Sequence, residues 1–140
     1  MKRQTLTQFL ILFILLLGAC GVGLPQSQTT QEQIGPRTVT DICKEPERYA
    51  GQIITLDGVF QGWRADECRF PTSANPAITR SDWLIRTGTD CLYVTGGILA
   101  GFDSMNPDDV GRRMELKAIV MLSKNGKVYL KYLDGQPLGP

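Results

Sequence analysis

Residues 112–122, RRMELKAIVML, place Met114, Leu116, Ala118, Val120 and Leu122 at every second position. A period of two belongs to a strand with one buried face. Asn125-Gly126 follows, a dipeptide suited to the left-handed backbone of a two-residue hairpin turn. Val128, Leu130 and Tyr132 resume the alternation, so residues 112–133 read as a hairpin with one apolar face. The 15 glycines and 8 prolines of the chain favour short strands and tight turns over long helices.

The rest of the chain fits that start. Residues 38–51 read as a short helical lead-in, capped by Thr40 or Asp41, with Pro46 opening a second turn. Val39, Ile42 and Tyr49 would face the core. Ile54, Leu56 and Phe60 alternate in a first strand over 52–64, where Gly58 suggests a bulge or bend. Residues 65–78 hold Pro71 and Pro76 and read as an ordered excursion. Strands follow at 81–86 and 91–95, and Asn106-Pro107 starts a helical turn before the last hairpin. That order predicts an all-β domain over 38–134. It would be a five-stranded, OB-fold-like Greek-key barrel with short helical elements before strand one and between strands three and four. Residues 135–140 read as a loose tail.

Several short patterns run through this stretch: Asp41-Ile42, Pro46, Tyr49 and Gly51, then Gly58 to Trp63, Thr79 to Trp83, and Cys91 to Gly96. Together they resemble small prokaryotic OB-fold proteins related to the nucleic-acid-binding OB superfamily, many without known function. The resemblance implies a fold and leaves the activity open, because such barrels host many ligands.

The N-terminus has a different character. Lys2 and Arg3 precede an apolar run from Phe9 to Leu17, with small residues at Gly18 and Ala19. This is the pattern of a secretory signal, and the run falls short of the roughly 20 residues a membrane-spanning helix needs. Leu17-Gly18-Ala19-Cys20 resembles the bacterial lipobox. The resemblance implies that residues 1–19 are a removed signal peptide and that Cys20 is the lipidated N-terminus. Two or three acyl chains on one residue give firm anchoring. The expected location is a bacterial membrane facing outward: the outer membrane in a Gram-negative cell, since Gly21 is not the retention signal Asp, or the outer face of the cell membrane in a Gram-positive one. Residues 20–37, rich in Gln, Thr, Ser, Gly and Pro, read as the lipidated cysteine and a flexible tether.

Removal of Lys2 and Arg3 leaves 13 basic against 14 acidic residues, so no electrostatic footprint for nucleic acid is visible and that partner is disfavoured. There is no histidine, which excludes histidine acid/base chemistry and histidine-bound metal. Three cysteines remain beside Cys20: Cys43, Cys68 and Cys91. In an oxidising location a disulfide is expected, and the preferred pairing is Cys68 with Cys91, because the excursion then lies pinned to strand three. Cys43 would be a buried free thiol. A metal site is the rival reading, but three cysteines without a close pair match no common zinc pattern.

The candidate ligand face is Trp63, Arg80, Asp82, Trp83 and Tyr93. Arg80 and Asp82 would flank a ligand and the tryptophans would stack on it. The structural alternative has Asp82 holding backbone amides at the strand entry and Trp83 filling the barrel. Asp66-Glu67 and Asp108-Asp109 read as solvated loop acids, and Arg112, Arg113, Lys117, Lys124, Lys127 and Lys131 as a modest basic face. No nucleophile–base pair, phosphate loop or metal motif marks an enzyme, and no cofactor is implied. The expected role is a non-catalytic binding module in the cell envelope, partnered by the membrane through Cys20 and by an envelope protein. The alternatives are a structural or assembly component, or an oligonucleotide or oligosaccharide binder using the strand two–three face.

Overall fold

A computed structural model describes Gly35 and residues 38–139. The expected signal peptide, Cys20, and the tether apart from Gly35 lie outside the described residues, as does Pro140. The elements are α1 (Val39–Lys44), α2 (Pro46–Tyr49), β1 (Ile53–Gly62), β2 (Trp83–Thr87), β3 (Asp90–Thr95), a 3-10 turn (Pro107–Asp109), β4 (Arg113–Leu122) and β5 (Val128–Pro137). The strands close a barrel in the order β1-β2-β3-β5-β4. All neighbours are antiparallel except β3 and β5, which pair in parallel at Val94–Leu130 and Thr95–Lys131. This is the all-β, OB-like barrel that the sequence predicts.

Inward residues of every strand meet in one core. Ile54, Leu56 and Phe60 of β1 pack with Ile85, Leu92, Met114, Leu116 and Leu130, joined by Val39, Ile42 and Tyr49 from the helices. The helix cap differs from expectation: Thr38 is the N-cap, not Thr40 or Asp41. Its hydroxyl accepts from Asp41 N (3.1 Å), and the Asp41 carboxylate accepts from Thr38 N (3.0 Å). Thr40 is instead free to donate to Asp90, and Val39 N donates to Thr87 Oγ1 (2.7 Å). These bonds seat α1 on the turn between β2 and β3.

Three boundaries also shift, each for a local reason. Gly58 makes no bulge; the register break lies between Phe60 and Gly62. Gly58 is needed for space, since a Cβ there would stand 2.6 Å from Ile85 Cγ1. Gly62, at φ 56°, brings β1 against the carbonyl of Ser104. The second strand starts at Trp83 rather than 81, because Asp82 captures the amides of Ile78 and Thr79 and holds the preceding residues in a turn. The loose tail is corrected through Pro137. Asp134–Pro137 pair with Lys117–Met114, past a bulge at Lys117/Ala118 that restores the inward face.

Candidate ligand-binding site

β3 meets β5 only over its last residues, so its first half is left with an unpaired edge. An unsatisfied edge is costly when buried and sticky when exposed. Residues 68–75 fill the gap as a strap. Arg69 N donates to Thr89 O (2.8 Å) and Arg69 O accepts from Cys91 N (3.0 Å). At the other end, Ser73 O accepts from Val128 N and Asn75 N donates to Val128 O, both at 2.8 Å. The Cys68–Cys91 disulfide locks the strap onto β3. The Arg69 guanidinium pairs with Asp90, and Ser73 Oγ donates to Cys43 O (2.8 Å).

The strap carries one aromatic wall and β3 the other. Phe70 lies over Tyr93 with ring centroids 5.8 Å apart and planes 18° from parallel. Both rings follow from the disulfide: each is two residues beyond its cysteine, and in extended chain residues two apart share a side. Beside them a cavity of about 440 Å³ opens, walled by Pro71, Ala74, Pro76 and the β4–β5 turn residue Lys127. Lys127 Nζ donates to Thr72 O (3.3 Å), which places an ammonium at the mouth. Phe70 remains 41% exposed, so its outer edge is open to a bound molecule. The chemistry offered is a flat apolar surface, one cation and no acid in the lining. That suits a planar or ring-shaped group, with a polar or anionic substituent toward the lysine.

The residues singled out from sequence are dispersed. Cys68 and Cys91 are bonded to each other, and Tyr93 lines the cavity. Trp83 is fully buried between strands: it packs on Phe60 (5.1 Å) and its Nε1 donates to Gly97 O (2.7 Å). It offers no face for stacking and fills the barrel, as the structural reading of the sequence has it. Asp82 is likewise buried, with Ile78 N, Thr79 N and Thr79 Oγ1 donating to it. It is a strand-entry lock and not a ligand contact. Arg80 is exposed. Trp63 is 45% exposed, in a separate depression of about 220 Å³ with Arg64, Ser104, Met105 and Pro107. Phe70, Pro71, Pro76 and Lys127 were not singled out. Only the two-residue offset from the paired cysteines pointed to Phe70.

The buried carboxylates hold the scaffold. Burial pushes Asp82 up, but bonds from Thr79, Ile78 and Thr95 together outweigh it and keep the group below the ordinary carboxylate range. The Arg69 bond lowers Asp90 against its burial, aided by Thr40. Asp109 is no solvated loop acid: it is buried and lowered first by Arg112, then by the Asp103 amide. Asp66 and Glu67 are exposed as expected, Glu67 pairing with Arg86 at 3.1 Å. Cys43 is a free thiol, half-buried rather than buried, and burial pushes it up to about 11. Among the described residues no group of three or more Cys, Asp or Glu side chains is placed to hold a metal ion.

No family model and no curated protein matches this chain. Among solved structures, it is similar to one of a protein described as an aspartyl-tRNA synthetase from Leishmania major Friedlin, at 11% identity and a TM-score of 0.43. The likeness covers 81% of this chain and 23% of that one, so the chain spans about a quarter of that protein's length.

Proposed function

We propose that this protein is a lipoprotein, anchored in a bacterial envelope membrane through acylated Cys20, whose OB-like barrel is a non-catalytic binding module. The observation that carries the reading is the Phe70–Tyr93 cavity. It lies between the strap, which joins β1 to β2, and the β4–β5 turn, where barrels of this kind take elongated ligands. Its wall of aromatic and proline side chains, with Lys127 at the mouth, suits a sugar or base ring of an oligosaccharide or oligonucleotide. An envelope location favours the oligosaccharide. What supports the non-catalytic part of the reading is that the buried carboxylates Asp82, Asp90 and Asp109 each accept from structural donors.

A titration of the purified protein with envelope glycan fragments, and separately with single-stranded DNA, tests the reading. Phe70→Ala should weaken glycan binding by about 5- to 150-fold, matching the roughly 1–3 kcal/mol of one aromatic stack. Equal binding by wild type and Phe70→Ala would remove the cavity from consideration. A structural or assembly role has its own support at the other end of the barrel, where Trp63, Ile98 and Met105 stand exposed. Binding of neither ligand, with loss of envelope integrity on Trp63→Ala, would favour that role.

A further inference from the structure

The outer face of β1, β4 and β5 is laid out in rows fixed by strand register. From the helical end of the barrel upward they are Met121–Tyr129, Ile53–Ile119–Lys131, Thr55–Lys117–Asp134, Asp57–Glu115–Gln136 and Val59–Arg113. Charge and polarity divide along this axis. The two rows nearest the helices are apolar with one lysine, and Lys124 adds a second in the adjoining turn. The acids Asp57, Glu115 and Asp134 begin only at the third row and above. Ile53, the first residue of β1, is 61% exposed at the β1 end of the second row. An exposed isoleucine on a sheet face, with a lysine in the same row and another in the adjoining turn, is the layout of a surface that meets lipid headgroups.

The chain's own path points to the same end. Thr38 enters the barrel beside Thr87 and Asp90, and the α2–β1 junction pairs with the end of β4, through Gly51 N to Val120 O (2.8 Å). The continuous described chain therefore starts at the same end of the barrel as these rows, beside the β2–β3 turn. About 17 residues separate Cys20 from Thr38.

We propose that the face around Ile53, Met121, Tyr129 and Lys131 rests on an anionic lipid surface, held there by the acyl chains of Cys20. This rests on the lipid anchor proposed above. The affinity asked of the face is small, because a short tether holds it at an effective concentration of about a millimolar. Lys124 and Lys131 each raise occupancy of an anionic leaflet about fivefold, or about twenty-five-fold together.

The test uses the native lipidated protein in vesicles of phosphatidylcholine, with or without phosphatidylglycerol, and in detergent. Lysines are labelled with an impermeant amine reagent and read by peptide mass. Lys124 and Lys131 should label several-fold more slowly on phosphatidylglycerol vesicles, and high salt should restore the rate. Ile53→Glu, a change at an exposed site, should also restore it. Equal labelling in all three media overturns the proposal. Protection that persists in detergent and grows with protein concentration assigns the face to a second copy, and also overturns it. The two layers separate cleanly. Acyl mass on Cys20 with unprotected lysines refutes the face alone. Missing acyl mass, with protection of added protein on phosphatidylglycerol vesicles, refutes the anchor alone.

Discussion

Replacing Cys68 and Cys91 together by alanine should destabilise the domain by about 3 kcal/mol and leave the strap in place. The pair is 23 residues apart, and closing a loop of that size removes about 11 cal/mol/K from the unfolded chain, or about 3 kcal/mol at room temperature. For a domain of about 100 residues that lowers Tm by roughly 12–24 °C. The folded state loses less. Four backbone hydrogen bonds tie Arg69, Ser73 and Asn75 to the edges of β3 and β5, and the Arg69–Asp90 pair adds a fifth contact. Each bond is worth about 1 kcal/mol net, enough to keep residues 69–75 seated. Urea unfolding of oxidised wild type, reduced wild type and the double variant measures the effect. Reduced wild type and double variant should coincide, with a larger m than the oxidised protein, because the uncross-linked chain exposes more surface. The proton shifts of the Tyr93 ring should stay those of a stacked pair. A loss under about 1 kcal/mol would refute the loop-entropy reasoning. Loss of the ring stacking in an otherwise folded variant would refute the claim that the gap holds the strap.

Gly58→Ala puts a methyl 2.6 Å from Ile85 Cγ1 and should cost about 1–3 kcal/mol; a Gly58→Ala/Ile85→Val double variant measured by urea unfolding should lose less than the two single losses summed. Asp82→Ala leaves the amides of Ile78 and Thr79 without their acceptor and should cost about 1–3 kcal/mol in the same assay, with β2 fraying first by hydrogen exchange. Asp82, Asp90 and Asp109 are all held below their ordinary values, so their contribution is fully present above about pH 4 and is lost as pH falls through the folded values. Thermal melts should accordingly be flat near neutral pH and drop below about pH 4, more shallowly in Asp82→Asn; a flat profile to pH 2 would contradict the assignment. With its thiol at about 11, Cys43 should react with iodoacetamide at pH 8 at least about 100-fold more slowly than a free cysteine, and at an ordinary rate once urea unfolds the chain.

Periodicity carried the fold. The alternation of residues 114–122, the Asn125-Gly126 turn and the order of short elements led to a five-stranded barrel, because a side-chain period of two is a local property of strands. Local chemistry also set the start of the Pro107–Asp109 turn, where Asn106 accepts from Asp108 N as the sequence suggested. Boundaries went astray wherever a distant group competed. Thr40 reads as a cap until Asp90, fifty residues away, takes its hydroxyl. The tail reads as loose because Gly135 and Pro137 are poor strand formers, yet β4 supplies a full row of partners.

The candidate site shows the same division more sharply. Sequence composition identified aromatic and charged residues near β2, but burial decides which of them a ligand can reach, and burial belongs to the packed barrel. Trp83 went inside to fill the space beside Phe60, and Asp82 went inside to hold two amides. Trp63 stayed out. The cavity depends on a gap between β3 and β5 that exists only once the barrel closes, and on a strap that fills it. The sequence by itself determined the strands, their inward faces, and the cysteines fit to be joined. The tertiary structure decided that Phe70 meets Tyr93 and that Lys127 stands beside them, because contacts between segments far apart in the chain are set by closure and not by local pattern.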